Sequence, residues 1–465
     1  MTTNRTTSTA APTLDGSSLE LLSPTHPDYD RVRRIWNGSV DRRPAFIARC
    51  RSTADVAAAV TFGRRHDLPI AIRAGGHSIP GWSTVEGGLM IDLSPMKGVR
   101  VDPGARLADV QPGVLWRELD AATQTHGLAT PGGEISDTGV AGLTLGGGIG
   151  WLSRMHGLAS DNLLAVELVT AEGEVLTADD DTDPDLMWGL RGGGGNFGIV
   201  TRFTFRLHPV ATPWAGLVMY PGDRAADVLH LVNEVGASAP RELSLVAALV
   251  SAPPAPFIPP EAVGTPVAGI AAAYLGDHDL GRELTAPLQR LGTPFVDTFA
   301  PTPYVDVQQM FDDANVPGRH AYVRSDFLGA VPDEGLDALA RHGTAPTSPL
   351  NQVLIRRIGG AIGDRDVSAT AFAHRGAEHL TLVAAVWEDP AEDAARHQAW
   401  VRETWESTRP WAHGTYVNHL DRDEGRDRLR EAYPPATWER LTRLKARTDP
   451  DNVFAMNQNI PPSGT

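Results

Sequence analysis

The residues best placed to do chemistry begin at Arg73-Ala74-Gly75-Gly76-His77-Ser78. An apolar run, Leu68 to Ile72, precedes them and predicts a buried strand. Two glycines then permit a sharp turn in which backbone N–H groups converge on an anion. A phosphate-bearing cofactor explains the turn and Arg73. His77 needs its own explanation: a neutral imidazole nitrogen can act as a ligand to a cofactor, or as a nucleophile toward an electrophilic methylene and so as a covalent attachment point.

Other chemistries lack their residues. Gly192 to Gly198 superficially resembles a dinucleotide fingerprint, but β-branched and aromatic residues follow where a helix is required. There is no GKS or GKT, no HExxH and no G-x-S-x-G elbow. His374 with Arg375, and His413 near His419, do not have metal-ligand spacing, so no metal is expected and these histidines read as packing or surface groups. The lysines are Lys97 and Lys445 alone. With one cysteine, Cys50, intramolecular disulfides and cysteine-based metal centres are excluded, and Cys50 reads as structural. What remains is redox chemistry on a bound organic cofactor.

The elements that must position these residues follow from periodicity. Ser52 or Thr53 caps a helix through Arg65 with Val56, Ala59, Val60 and Phe62 on its apolar side. Strands are predicted at Leu68–Arg73, Leu89–Leu93, Val99–Val101 and Leu107–Val110, and a helix at Val114–Thr125 striped by Leu115, Leu119 and Ala122. Glycine clusters then recur: Gly132-Gly133, Gly139 to Gly142, Gly146 to Gly150 and Gly192 to Gly198. Such backbone lies close against a flat, extended ligand. Strands at Leu163–Thr170, Glu174–Thr177 and Thr201–Leu207 frame these loops, with a short helix at Asp185–Leu190. After Pro209 the composition changes. Strands at Leu243–Val250, Ile270–Tyr274, Val353–Ile358 and Leu380–Trp387 alternate with helices at Ala225–Val235, Leu280–Leu291 (interrupted by Pro287) and Ala391–Trp405. They predict an α+β region with an antiparallel sheet backed by helices. A helix at Ala436–Ala446, opened by Thr437, precedes the patterned end Asn457-Gln458-Asn459-Ile460-Pro461-Pro462.

The 465 residues fit two or three domains. A net charge of −16 argues against a general nucleic-acid partner, and no apolar run is long enough for a membrane span. The polar first residues contain no apolar signal segment, which reads as a flexible tail over 1–23 and a cytoplasmic location.

The ordered set of motifs resembles the flavin-linked oxidases of the vanillyl-alcohol-oxidase (PCMH-type FAD-binding) superfamily, in their berberine-bridge-enzyme-like branch. It comprises Arg73 to Ser78, Gly142 to Gly150, Gly157 to Asn162, Arg191 to Gly198, Thr370 to Arg375, Tyr416-Val417-Asn418 and Asn457 to Pro462. The resemblance implies a two-lobed FAD-binding domain built from both chain ends, with an inserted antiparallel-sheet-plus-helices substrate domain. The boundaries would be 24–210 for the FAD-binding domain (core 42–209), 211–410 for the substrate domain and 411–465 for a returning C-terminal segment.

The implied cofactor is FAD, bound by Arg73, Ala74, Gly75, Gly76, His77, Ser78, Gly81, Gly132, Gly133, Thr138, Gly139, Gly142, Gly148, Gly198, Val200, Tyr416, Asn418 and Asn459. His77 matches the residue bonded to the 8α-methyl of the flavin. Relatives that attach the flavin twice carry a cysteine where this chain has Ile135, so His77 is expected to be the sole tether. Gly133 matches a level at which a small residue admits oxygen, which favours an oxidase over a dehydrogenase. Tyr416 is the expected catalytic base or orienting group, Asn418 its loop anchor, and Asp421 a distant orienter. The implied partners are a small organic substrate, secondary metabolites being favoured, and O2. A monomer and a homodimer are equally compatible with the sequence. A non-oxygen acceptor, a carbohydrate or aromatic-alcohol substrate, and a non-catalytic flavin-binding protein remain open alternatives.

Overall fold

A computed structural model describes residues 19–256 and 258–464. Residues 1–18 of the expected tail lie outside it, and residues 20–22, expected in that tail, belong to the fold. Glu20–Leu22 form a strand paired antiparallel with Phe46–Arg49, because Leu22 finds a fully buried place in the core.

That pair opens a four-stranded sheet, continued by Leu89–Asp92 and then Ile70–Arg73, both joined in parallel. The helix Thr53–Arg65 supplies the connection that parallel strands need. Ser52 caps it in a capping box with Asp55, and Val56, Ala59, Val60 and Phe62 face the core as their spacing requires. A five-stranded antiparallel sheet follows, in the order Val99–Asp102, Leu107–Val110, Ile199–Arg206, Leu163–Val169 and Val175–Asp179.

The helix expected at Val114–Thr125 runs Trp116–Gln124, and its buried face is turned from the expected stripe. Trp116, Leu119, Asp120 and Thr123 point inward, while Leu115 serves as N-cap. Trp116 fills the space under Gly132, and this large ring outweighs the smaller Ala122 in setting the helix rotation.

Residues from Trp214 to Gly414 contribute a nine-stranded sheet whose pairings are all antiparallel. Helices Ala225–Ser238, Asp333–Gly343 and Ala394–Glu406 bury a common core against one face of it. Pro287 ends the helix His278–Thr285, converting the expected continuation into a 3-10 turn at Ala286–Gln289.

The chain end then returns to the first sheets. Helix Pro435–Thr448 begins after Pro434, with no side-chain cap from Thr437. Its Leu441 and Leu444 share a core with Phe197 and Phe203, as does Ile460. Phe454, fully buried, joins the core of the four-stranded sheet; such a ring contributes about 1.5–3 kcal/mol. Lys445 locks the return. Its buried ammonium pairs with Asp449 at 2.7 Å and donates to the carbonyls of Asn196 and Phe454.

Candidate active site

A cavity of about 400 Å³ opens where these units meet. The turn after the strand Ile70–Arg73 forms one wall. Gly75 must be glycine here, because a Cβ would sit 2.4 Å from the Cα of Gly139, so two glycine loops touch backbone to backbone. Gly76 takes a φ of +75°, which aims the chain back toward the cavity. Ala74, Gly75, Gly76, His77 and Ser78 line the cavity, as do Gly133, Thr138, Gly139, Gly142, Gly198, Val200, Tyr416 and Asn418.

The other expected residues stand behind it. The Arg73 guanidinium turns from the cavity to Asp92 at 3.0 Å. Gly81 abuts Val40, and Gly132 abuts Trp116. Gly148 reaches the site through its N–H, which donates to the Tyr416 hydroxyl at 2.9 Å. The terminal segment is tied by Asn457 donating to the Gly195 carbonyl and by Asn196 accepting from Ile460 N–H. Asn459 has a buried Oδ1 with no hydrogen-bond partner among the described residues.

His77 stacks on Trp36 with ring centroids 4.4 Å apart. Its Nε2 is buried without a hydrogen bond, and Asp137 Oδ1, at 3.8 Å, is too distant to supply one. Burial lowers the His77 pKa to about 4. The imidazole is therefore neutral at ordinary pH, the form that can act as nucleophile or ligand.

Tyr416 lines the same cavity. Its oxygen accepts from Gly148 N–H and from the Asn418 amide, which also donates to the Leu143 carbonyl. Asn418 comes so close to Gly146 that no Cβ fits there. Burial pushes the Tyr416 phenol up to about 12, opposed by those N–H donors and by the charge of Arg356. Arg356 projects from the strand Gln352–Arg357 into the same cavity, where it pairs with Glu134 of the 132–138 loop and lies over the Trp151 ring. Burial lowers its pKa to about 9.

Sequence reasoning missed Trp36, Glu134, Arg356 and His419. His419 lines the cavity, contacts the Tyr416 ring edge-on and hydrogen-bonds Ser325 Oγ through Nδ1. Burial, with Arg356 and His77 nearby, takes its pKa down to about 3. The Tyr416-Val417-Asn418 spacing alone pointed near it. His156 stacks on His208 outside the cavity lining, and Asp421 also lies outside it. Cys50 is buried, raised in pKa by that burial and not among the lining residues.

The central sheet supplies the remaining wall. Leu380, Leu382, Ala384 and Val386 recur with the strand period of two, as do Ala321 with Val323 and Gln352 with Leu354 and Arg356. Except for Gln352 and Arg356, this wall is aliphatic.

The arrangement fits an extended, phosphate-bearing, flat cofactor. Glycine loops line the cavity, a Cβ at Gly142 or Gly195 would meet nothing within 4 Å, and polar atoms of His77, Asn457 and Asn459 are buried without partners. Among the described residues no cluster of side chains could hold a metal ion, and no helix is long and apolar enough to cross a membrane.

Comparison with known proteins bears on the same reading. Residues 44–179 match the model of the FAD binding domain, and residues 415–461 match the berberine and berberine-like model. An FAD-linked oxidoreductase of Dictyostelium discoideum is 32% identical over 439 residues, 93% of this chain and 92% of that protein. The (R)-6-hydroxynicotine oxidase of Paenarthrobacter nicotinovorans is 28% identical, covering 96% of this chain and 97% of its own. Among solved structures, 6-hydroxy-D-nicotine oxidase from Arthrobacter nicotinovorans superposes with a TM-score of 0.87 at 26% identity, over 97% of this chain and 99% of that one. Berberine-bridge-enzyme-like protein 1 of Physcomitrella patens gives 0.83 at 25% identity, over 97% and 98%. The two-lobed α+β architecture, the glycine-walled cavity and these full-length likenesses agree: the chain belongs to the berberine-bridge-enzyme-like, FAD-linked oxidoreductases of the vanillyl-alcohol-oxidase superfamily.

Proposed function

We propose that this FAD-dependent oxidoreductase is an oxidase for a largely apolar small molecule bearing a hydroxyl or amine, with its flavin tethered through His77 alone. The observation that carries the reading is one cavity lined together by the His77 loop, Tyr416 and an aliphatic sheet wall. Residues 24–210 and 411–465 would hold the cofactor, and 211–410 would shape the substrate side. Ala74 to Ser78, Gly133, Thr138, Gly139, Gly142, Gly198, Val200, Asn418 and the segment at Asn459 are the residues assigned to FAD, with Arg73, Gly81, Gly132 and Gly148 shaping the loops behind. When bound, FAD supplies a two-electron acceptor for hydride from a C–H beside oxygen or nitrogen, and passes the electrons to O2.

The protein's part is positional and electrostatic. Neutral His77 offers an imidazole lone pair. Ile135 stands where doubly attached relatives carry cysteine, and Cys50 is not among the residues that line the cavity. Tyr416 meets the reacting hydroxyl or amine. Two N–H donors aimed at its oxygen favour the phenolate, while burial holds the phenol in the resting protein. Arg356 is the cation whose charge favours loss of the Tyr416 proton. The aliphatic faces of Leu354, Leu380 and Leu382 suit an apolar body rather than an oligosaccharide. The name of the nicotine-derived relative points the same way, toward a compact heterocyclic metabolite.

Stopped-flow reoxidation tests the oxidase assignment. Prompt return of the oxidised flavin spectrum in air with release of peroxide is expected. Slow reoxidation by O2 together with fast reoxidation by an artificial acceptor would make the protein a dehydrogenase.

A further inference from the structure

A second concavity, of about 420 Å³, lies behind the strand Gln352–Arg357. Successive strand side chains face opposite ways, so Arg356 enters the cofactor cavity and Arg357 enters this one. Four arginines line it, Arg154, Arg241, Arg357 and Arg375, with Glu378 the carboxylate among the lining residues.

Three of the four have carboxylate partners. Arg375 is held bidentately by Asp161, Arg357 pairs with Glu378 at 2.8 Å, and Arg241 pairs with Asp364 at 2.9 Å. The Glu378 and Asp364 carboxylates are well exposed, and the Arg241–Asp364 pair, exposed on both sides, exchanges at little cost. Arg154 differs. It is 6% exposed, and its four hydrogen bonds all go to carbonyls, of Leu243, Ile358, Ala239 and Pro240. Ala239 and Pro240 follow the helix Ala225–Ser238, whose C-terminal dipole offsets part of the charge, as does nearby Glu242. Carbonyls satisfy the hydrogen bonds but do not neutralise the ion. Arg357 and Arg241 add like charge beside it, and with burial they lower the Arg154 pKa to about 10. The Arg357 Nε is itself buried without a partner.

We propose that this concavity is a binding site for a phosphate monoester, separate from the cofactor cavity. Arg154 supplies a fixed positive charge. Arg241 and Arg357 release their exposed carboxylates to grip the phosphate through planar forks, the geometry guanidinium groups share with phosphate oxygens. The volume leaves room for an organic group beyond the phosphate. The site also borders the catalytic machinery, because one short segment runs from Gly148, which donates to Tyr416, to Arg154.

Isothermal titration of the flavin-loaded, full-length protein tests this, the bound flavin keeping its own phosphate subsite closed. Phenyl phosphate and inorganic phosphate are titrated at ionic strength held constant with sodium chloride. The expected result is saturable binding of both, phenyl phosphate the tighter, weakened at least tenfold by Arg357→Gln and by Arg241→Gln. The second variant changes an exposed pair and so keeps the test independent of folding. Absence of saturable binding, or affinity unchanged in both variants, overturns the proposal.

Discussion

At the scale of single residues, the cavity gathers titratable groups whose ordinary pKa values would make them charged or reactive near neutrality, and burial moves most of them away. His77 and His419 are held neutral at about 4 and about 3, and Tyr416 is held as a phenol at about 12. If Tyr416 accepts the substrate proton, only its small phenolate fraction is active at neutral pH. The logarithm of kcat/KM should then climb with unit slope from pH 7 to 10 without a plateau. Tyr416→Phe should flatten that slope and lower the rate by about 10²–10⁴, the usual contribution of a positioned acid–base group, while leaving flavin content unchanged. A plateau near pH 8 in the parent enzyme would assign the proton to another group.

At the scale of elements, much was legible. The helix Thr53–Arg65 was readable because Ser52, Asp55 and the apolar stripe all agree. The strand His320–Leu328 was not readable: Arg324, Ser325 and Asp326 sit in its middle. They are buried there because partners distant in sequence, Asp423, Arg428 and Arg409, pair with the two charged ones. The same distance hid Arg356 and His419, whose roles depend on neighbours brought in by the sheet.

The helix Trp116–Gln124 carries a further consequence. Asp120 lies on its buried face, accepts a hydrogen bond from Gln308 at 2.9 Å and is raised to about pKa 7 by burial. Its folded pKa is above the unfolded value of 3.8, so the folded state binds the extra proton between the two. Stability should therefore fall as pH rises from about 4 to about 7 and change no further above that. Asp120→Asn should remove this component. Thermal melts should show the variant gaining on the parent at pH 8 relative to pH 5, and parallel melting curves at the two pH values would contradict the account.

At the scale of the whole molecule, function depends on joining parts distant in the chain. Ser136 of the glycine-rich first half binds Asp312, and Arg375 of the central region binds Asp161. The Arg356–Glu134 pair closes the cavity between sheet and loop. Glu134→Gln leaves the buried guanidinium without its counter-charge and should cost about 3–5 kcal/mol. Adding Arg356→Met should recover part of that loss, a coupling that thermal melts of the two variants and the double variant would read. Additive losses would show that the pair does not act as a unit.

The proposed oxidase would carry FAD tethered at His77 and nowhere else. Acid precipitation of purified protein, followed by the flavin absorption of pellet and supernatant, tests it most directly. Yellow colour should stay in the pellet for the parent protein and move to the supernatant for His77→Ala. Free flavin released from the parent protein, or colour retained in the His77→Ala pellet, would contradict it.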